Sequence, residues 1–279
     1  MKKPVFGVFS LFLLLTLAGC LVLGGFASPA AAKTIVVTTL KDTANPPFDA
    51  AGLCGTGIIS DLPGDDGLIS PREAVIAANN TPGAKTIKFA PNLRDSTIVL
   101  TRSLALCGGH TTLNGDVNGN DTPDVTVDGR AVLFPFDVLD IFSSHNTVQS
   151  LRVLAPGAPV VGAIAVAATP AVSTTVVGNT ITHNIVTGGA IVVLTGFDYS
   201  TNGQSFNAAT IKRVIVRHNT VLSAPGVGIE AAILGDHHEM IDLIIAGNTV
   251  SENAIGILNQ TTKDWYTRAV TLSETKGLK

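Results

Sequence analysis

The sequence predicts a right-handed parallel β-helix, and three observations lead there. Charged residues make up 14% of the chain, against roughly 25% in an average globular protein, while 46% of residues are hydrophobic and 28 are glycine. Long helices would need more Glu, Lys and Leu on their outer faces, so a surplus of Val, Ile, Ala, Thr and Gly favours stacked β structure. Second, Asn-Thr-Val or Asn-Thr-Ile recurs at Asn146, Asn179, Asn219 and Asn248, at intervals of 33, 40 and 29 residues. Third, β-branched or aliphatic runs at 174–177, 214–216 and 243–245 precede the last three of these, and Gly189, Gly228 and Gly256 each open a further apolar strand after them. Irregular loops with nearly constant strand spacing point to a solenoid in which each rung is one unit. A β-sandwich would show more regular hairpin turns between short alternating strands.

The elements follow in chain order. Lys2 and Lys3 precede an apolar run over residues 5–26, and Ala30-Ala31-Ala32 supplies small residues before Lys33. This is the pattern of a cleaved signal peptide over residues 1–32. Two other readings stay open: Leu17-Ala18-Gly19-Cys20 is similar to a lipobox, in which Cys20 would be acylated, and the run is long enough for an uncleaved anchor. With Cys20 in that segment, Cys54 and Cys107 remain. An even pair in an oxidising compartment fits a disulfide worth about 4 kcal/mol in the chain-entropy model; the alternative is two buried thiols.

Residues 33–124 read as a capping region with the first rungs, and 125–279 as the β-helix repeats. Within the first part, Ser70-Pro71-Arg72-Glu73 predicts a helix start: a hydroxyl at N-cap, Pro at the first helical position and Glu at the third form a capping box. The helix continues through Ala78 and stops near Asn79-Asn80, before Thr81-Pro82-Gly83. It is short and must pack on a neighbour to persist; covering the exposed sheet edge of the first rung is the expected role.

The run Ser70-Pro71-Arg72-Glu73-Ala74-Val75-Ile76-Ala77-Ala78-Asn79 resembles the CSLREA motif. The flanks agree: residues 34–39 and Asp42 before it, residues 86–89 and 97–101 after it. The similarity covers about residues 34–129 and departs at Ile69, where the family has Cys, and at Pro71, where it has Leu. The resemblance implies an exported bacterial protein of pectin-lyase-like β-helix fold. It transfers no catalytic residues.

The best candidate site is 116–124. Asp116, Asn118, Asn120 and Asp124 place oxygens at positions 1, 3, 5 and 9 of a tight Gly-containing loop, as in a structural calcium site. Asp121 at position 6 and Val127 at position 12 depart from that pattern, and a polar turn uses the same residues. Asp236-His237-His238-Glu239 reads as a solvated loop rather than a transition-metal site, because adjacent residues of a strand face opposite ways. His145 and His218 precede repeat asparagines, but Gly178 and Gly247 hold that place in other rungs, so no histidine ladder is expected. Glu230, with Ile191 and Leu258 as counterparts, and Arg213, Arg217, Asp137 and Asp140 read as surface charges; the two aspartates are three apart, which does not put them on one strand face.

The net charge of −3 carries no basic stripe, so nucleic acid is not an expected partner. The expected function is an envelope-associated or secreted scaffold, adhesin or glycan-binding surface, with polysaccharide or another surface protein as partner. A polysaccharide lyase or glycoside hydrolase is the alternative.

Overall fold

The computed structural model describes residues 32–133, 136–158, 162–169, 172–198, 203–204, 208–234, 238–261 and 267–273. The signal-peptide and Cys20 readings, together with Asp236 and His237, lie outside the described residues. Residues Ala32–Lys279 form one compact unit.

That unit is a right-handed parallel β-helix. Each rung visits three parallel sheets in turn. One circuit runs from Thr147–Gln149 in a long sheet, through Leu151–Leu154 and Ile164–Ala168 in two six-stranded sheets, and back to the long sheet at Thr175–Val177 and Thr180–Thr182. Strands on neighbouring rungs pair in register, so one inward position stacks on its equivalent. Ile35, Ile87, Leu113, Val148, Ile181, Val216 and Ile245 form one continuous buried column. Ile98, Val127, Val153, Val186, Val221 and Val250 form a second. Leu104, Leu139, Ile164, Ile191 and Ile229 form a third. Stiff β-branched side chains pack well on this pleated surface, and burying each stabilises the fold by about 1.5–3 kcal/mol before entropy is counted.

The helix spans Pro71–Asn79 and carries the expected capping box. Ser70 Oγ accepts from Glu73 N at 3.0 Å, and Glu73 Oε2 accepts from Ser70 N at 2.9 Å. It packs on Lys33–Val37, Lys85–Phe89 and Leu104–Leu106, the first strands of two of the sheets. Among the described residues no helix is long and apolar enough to cross a membrane.

The structure corrects the repeat register. Asn146 and Asn179 sit at one corner of the cross-section, whereas Asn184, Asn219 and Asn248 sit at another. Within a corner the rung-to-rung separations are 33, 35 and 29 residues. The interval of 40 between Asn179 and Asn219 therefore joins two different corners. Glu230 likewise pairs with Val192 and Leu258, not with Ile191.

Candidate functional site

The corners decide which side chains face outward. Each is turned by one residue in the left-handed region. The first row is His110, His145, Gly178, Arg213 and Asp242; the second is Ser150, His183, His218 and Gly247; the third includes Gly188, Ser223 and Glu252. Their φ values run from +52° to +77°. Gly, Asp and His tolerate this conformation better than β-branched residues do. In the first two rows an asparagine often follows, and its amide closes the corner. Asn179 Oδ1 accepts from Asn146 N at 2.7 Å, Asn219 Oδ1 from Asn184 N at 3.0 Å, and Asn248 Oδ1 from Asn219 N at 2.9 Å.

The histidine expectation is also corrected. His110 stacks on His145 at 4.8 Å between ring centroids, and His183 on His218 at 5.3 Å. Each two-ring stack ends on a glycine of the next rung. A Cβ at Gly178 would lie 2.8 Å from His145 Nδ1, and one at Gly247 2.9 Å from His218 Nδ1. In each row the glycine after two histidines leaves room for the second ring.

Between the first two corners lies the outer face of the long sheet. Thr34, Thr86, Thr112, Thr147 and Thr180 stack in register along it, at about 4.8 Å per step. A parallel column holds Asn114, Gln149, Thr182 and Arg217; Thr182 in it is buried, its hydroxyl 2.9 Å from His183 Nδ1. The two columns together present hydroxyls, amides and one guanidinium, with no carboxylate.

The polar residues of the CSLREA-like run have structural duties. Arg72 pairs with Asp42 through both carboxylate oxygens at 2.7 and 2.9 Å and donates to the Ser103 and Arg102 carbonyls. Glu73 is fully buried and also accepts from Asn45 N at 2.8 Å. Asn79 donates to the Cys54 and Ala105 carbonyls and accepts from Cys107 N and Gly108 N. Cys54 and Cys107 form the expected disulfide across 53 residues, tying the capping segment to the first rung. Ile69 pairs its backbone with Thr38. Sequence reasoning missed Lys85. Its buried ammonium donates to the Thr81 and Gly109 carbonyls at 3.0 and 2.8 Å. Burial, then the charge of Lys33, pushes it below the ordinary lysine range.

In the 116–124 loop each of the four proposed oxygen donors accepts from backbone N–H groups of the loop itself. Asp116 accepts from the amides of Gly119, Asn120 and Asp121. Asp124 accepts from those of Val117 and Asn118, with Arg94 Nε at 3.3 Å from its second oxygen. Asn118 Oδ1 accepts from Asn120 N, and Asn120 Oδ1 from Thr122 N. Burial would raise the Asp116 carboxyl, but four backbone amides outweigh it and hold the group below the ordinary carboxylate range. Among the described residues no group of three or more His, Cys, Asp or Glu is arranged to hold a metal ion.

The Asp137 and Asp140 expectation is overturned. Both are buried and they interact directly. Asp140 lies on the outer side of its strand between Ala105 and Ala165, and Ser103 Oγ donates to its Oδ2 at 2.5 Å. Asp137 reaches the same place from the bend before that strand, where strand alternation does not apply, and accepts from Gly162 N. Burial, then the charge of Asp137, raises Asp140 well above the ordinary range. Enclosed this way, Asp140 serves as a packed hydrogen-bonding group. Three strands along the same outer column, Glu230 is half-buried and also raised by burial. His238 is buried, with Nδ1 accepting from Ala209 N at 3.2 Å, while Glu239 is exposed. Arg213 and Arg217 are exposed, as expected.

No protein-family model matches the chain, and no curated protein matches it.

Proposed function

We propose that this is an exported β-helix protein, secreted or held at the cell envelope, whose long-sheet outer face engages an extended polysaccharide without cleaving it. The observation that carries this reading is the in-register threonine column beside Asn114, Gln149 and Arg217. Hydroxyls and amides repeating at the rung spacing offer hydrogen bonds to a chain laid along the solenoid, and parallel rungs supply the long, regular face such a ligand needs. Two further observations support the reading. The Cys54–Cys107 disulfide suits an oxidising compartment. The interacting carboxylates Asp137 and Asp140 are enclosed and bonded to protein groups, whereas glycoside hydrolysis needs two carboxyl groups flanking an accessible bond.

Native gels cast with acidic or neutral polysaccharides test the proposal, alongside the size distribution of each polysaccharide after incubation. Retardation by at least one polysaccharide, weakened by Gln149→Ala combined with Arg217→Glu, is the expected result. Chain shortening would overturn the non-catalytic reading, and retardation unaffected by the double substitution would remove the long sheet as the binding face.

A further inference from the structure

We propose a second, separate site: the cleft between the capping segment and the first rungs binds a small amphipathic anion, an apolar body ending in one carboxylate or sulfonate. The cleft has a volume of about 550 Å³, inside the roughly 300–1,000 Å³ span of small-molecule sites. Leu53 of the disulfide loop, Val75 of the helix, Leu104 of the first rung and Leu133 and Phe136 beyond it form its apolar lining. Leu133 leaves 77% of its surface exposed. A lone exposed leucine is ordinary, but this one borders a concave apolar surface that a ligand can complete.

Charge selects the ligand's other end. Among the described residues no carboxylate lines this cleft. Of its two arginines, Arg72 is neutralised by Asp42. Arg102 is exposed, and among the described residues no acid pairs with its guanidinium. Ser103 is committed to Asp140. A smaller adjoining cleft of about 410 Å³ shares Arg72, Thr101 and Arg102, which places Arg102 where the two meet. Two carboxylates line that smaller cleft: Asp42 is held by Arg72, and Asp49 accepts from Ala51 N. A guanidinium with no ion-pair partner among the described residues, lining an apolar cleft, favours an anion with an apolar body over a neutral ligand. The disulfide and the four bonds of Asn79 fix the cap side of the cleft, which lowers the ordering a ligand must impose there.

Isothermal titration of the purified full chain with octanoate, and with 1-octanol as its uncharged match, tests the site. Octanoate should saturate a single site and bind about tenfold more tightly than octanol, the order expected for one charge-assisted contact. Arg102→Gln should bring octanoate down to the octanol level, while Arg102→Lys, which keeps the charge, retains most of the difference. Leu133→Asp, at a position exposed enough to leave folding intact, should weaken both ligands; circular dichroism checks each variant's fold. Absence of saturation, octanol binding as tightly as octanoate, or octanoate affinity unchanged in Arg102→Gln would each overturn the proposal. None of these outcomes depends on polysaccharide binding by the long sheet.

Discussion

Replacing Asn219 with Ala is the sharpest test of what holds the rungs together. The side chain is 1% exposed. Its oxygen accepts from Asn184 N and Asn184 Nδ2, both at 3.0 Å, and its amide donates to the Ile181 and Arg217 carbonyls and to Asn248 Oδ1, each at 3.0 Å. Some of these partners keep other bonds: Asn184 Nδ2 still reaches the Val148 carbonyl, and Asn248 Oδ1 still accepts from Asn219 N. The Asn184 backbone N–H loses its acceptor, and two buried carbonyls lose a donor. An unsatisfied buried donor costs about 1–3 kcal/mol and an under-satisfied carbonyl less, so the sum is about 2–4 kcal/mol. For a unit of this size that is a fall of roughly 6–12 °C in thermal midpoint. The control is Thr220→Ala, the neighbouring half-exposed position, which should change the midpoint little. Thermal unfolding followed by circular dichroism measures both. A midpoint for Asn219→Ala no lower than the control's would mean that column packing alone fixes the corner.

Three further outcomes are expected. Gly178→Ala should destabilise the fold by at least the 1–2 kcal/mol typical of a forced left-handed residue, and more because its Cβ would sit 2.8 Å from His145 Nδ1. Adding His145→Ala should recover the excess but not the backbone part, and a double-mutant cycle showing simple additivity would refute the contact. Asp140 is raised above its unfolded value of about 3.9, so it weakens the fold as pH rises from that value through its folded one. Asp140→Asn should therefore gain on the parent as pH increases across that window, and parallel denaturation profiles would count against a buried acid. Because the 116–124 loop is filled by its own amides, added calcium should shift the midpoint by less than about 1 °C. A rise of several degrees, reversed by chelator, would make Asp116, Asn118, Asn120 and Asp124 a cation site.

The parts of the fold legible in the sequence were those set by local chemistry. Ser70 and Glu73 define a helix start without any tertiary partner, and Val and Ile at alternate positions define an inward face. The corner assignment was less legible, because Gly178-Asn179 and Gly247-Asn248 look alike yet turn different corners; both meet the same demand for a left-handed residue followed by a closing amide. The paired acids were hidden because Asp137 precedes its strand. The stacked rings were hidden because their glycine neighbours look like a break in the pattern until the tilt of each ring over the next rung is seen. The cleft beside the capping segment could not be read at all: its lining comes from residues as far apart as Leu53 and Phe136.

The rows of left-handed corner residues separate two dimensions of the molecule. They set the girth, because the residues between successive corners of a rung must fit between fixed bends, and a single insertion inside Thr180–Thr182 would turn every following inward side chain outward until the next corner. They place no such limit on height, since each rung contacts its neighbours through the same column, ladder and corner contacts whichever rung it is. An in-frame duplication of one whole circuit, from one Asn corner to the equivalent corner above, would therefore lengthen the threonine or aliphatic columns by one step without a new kind of contact. A protein built this way can change its reach by copying, while its cross-section tolerates change only where loops leave the corners.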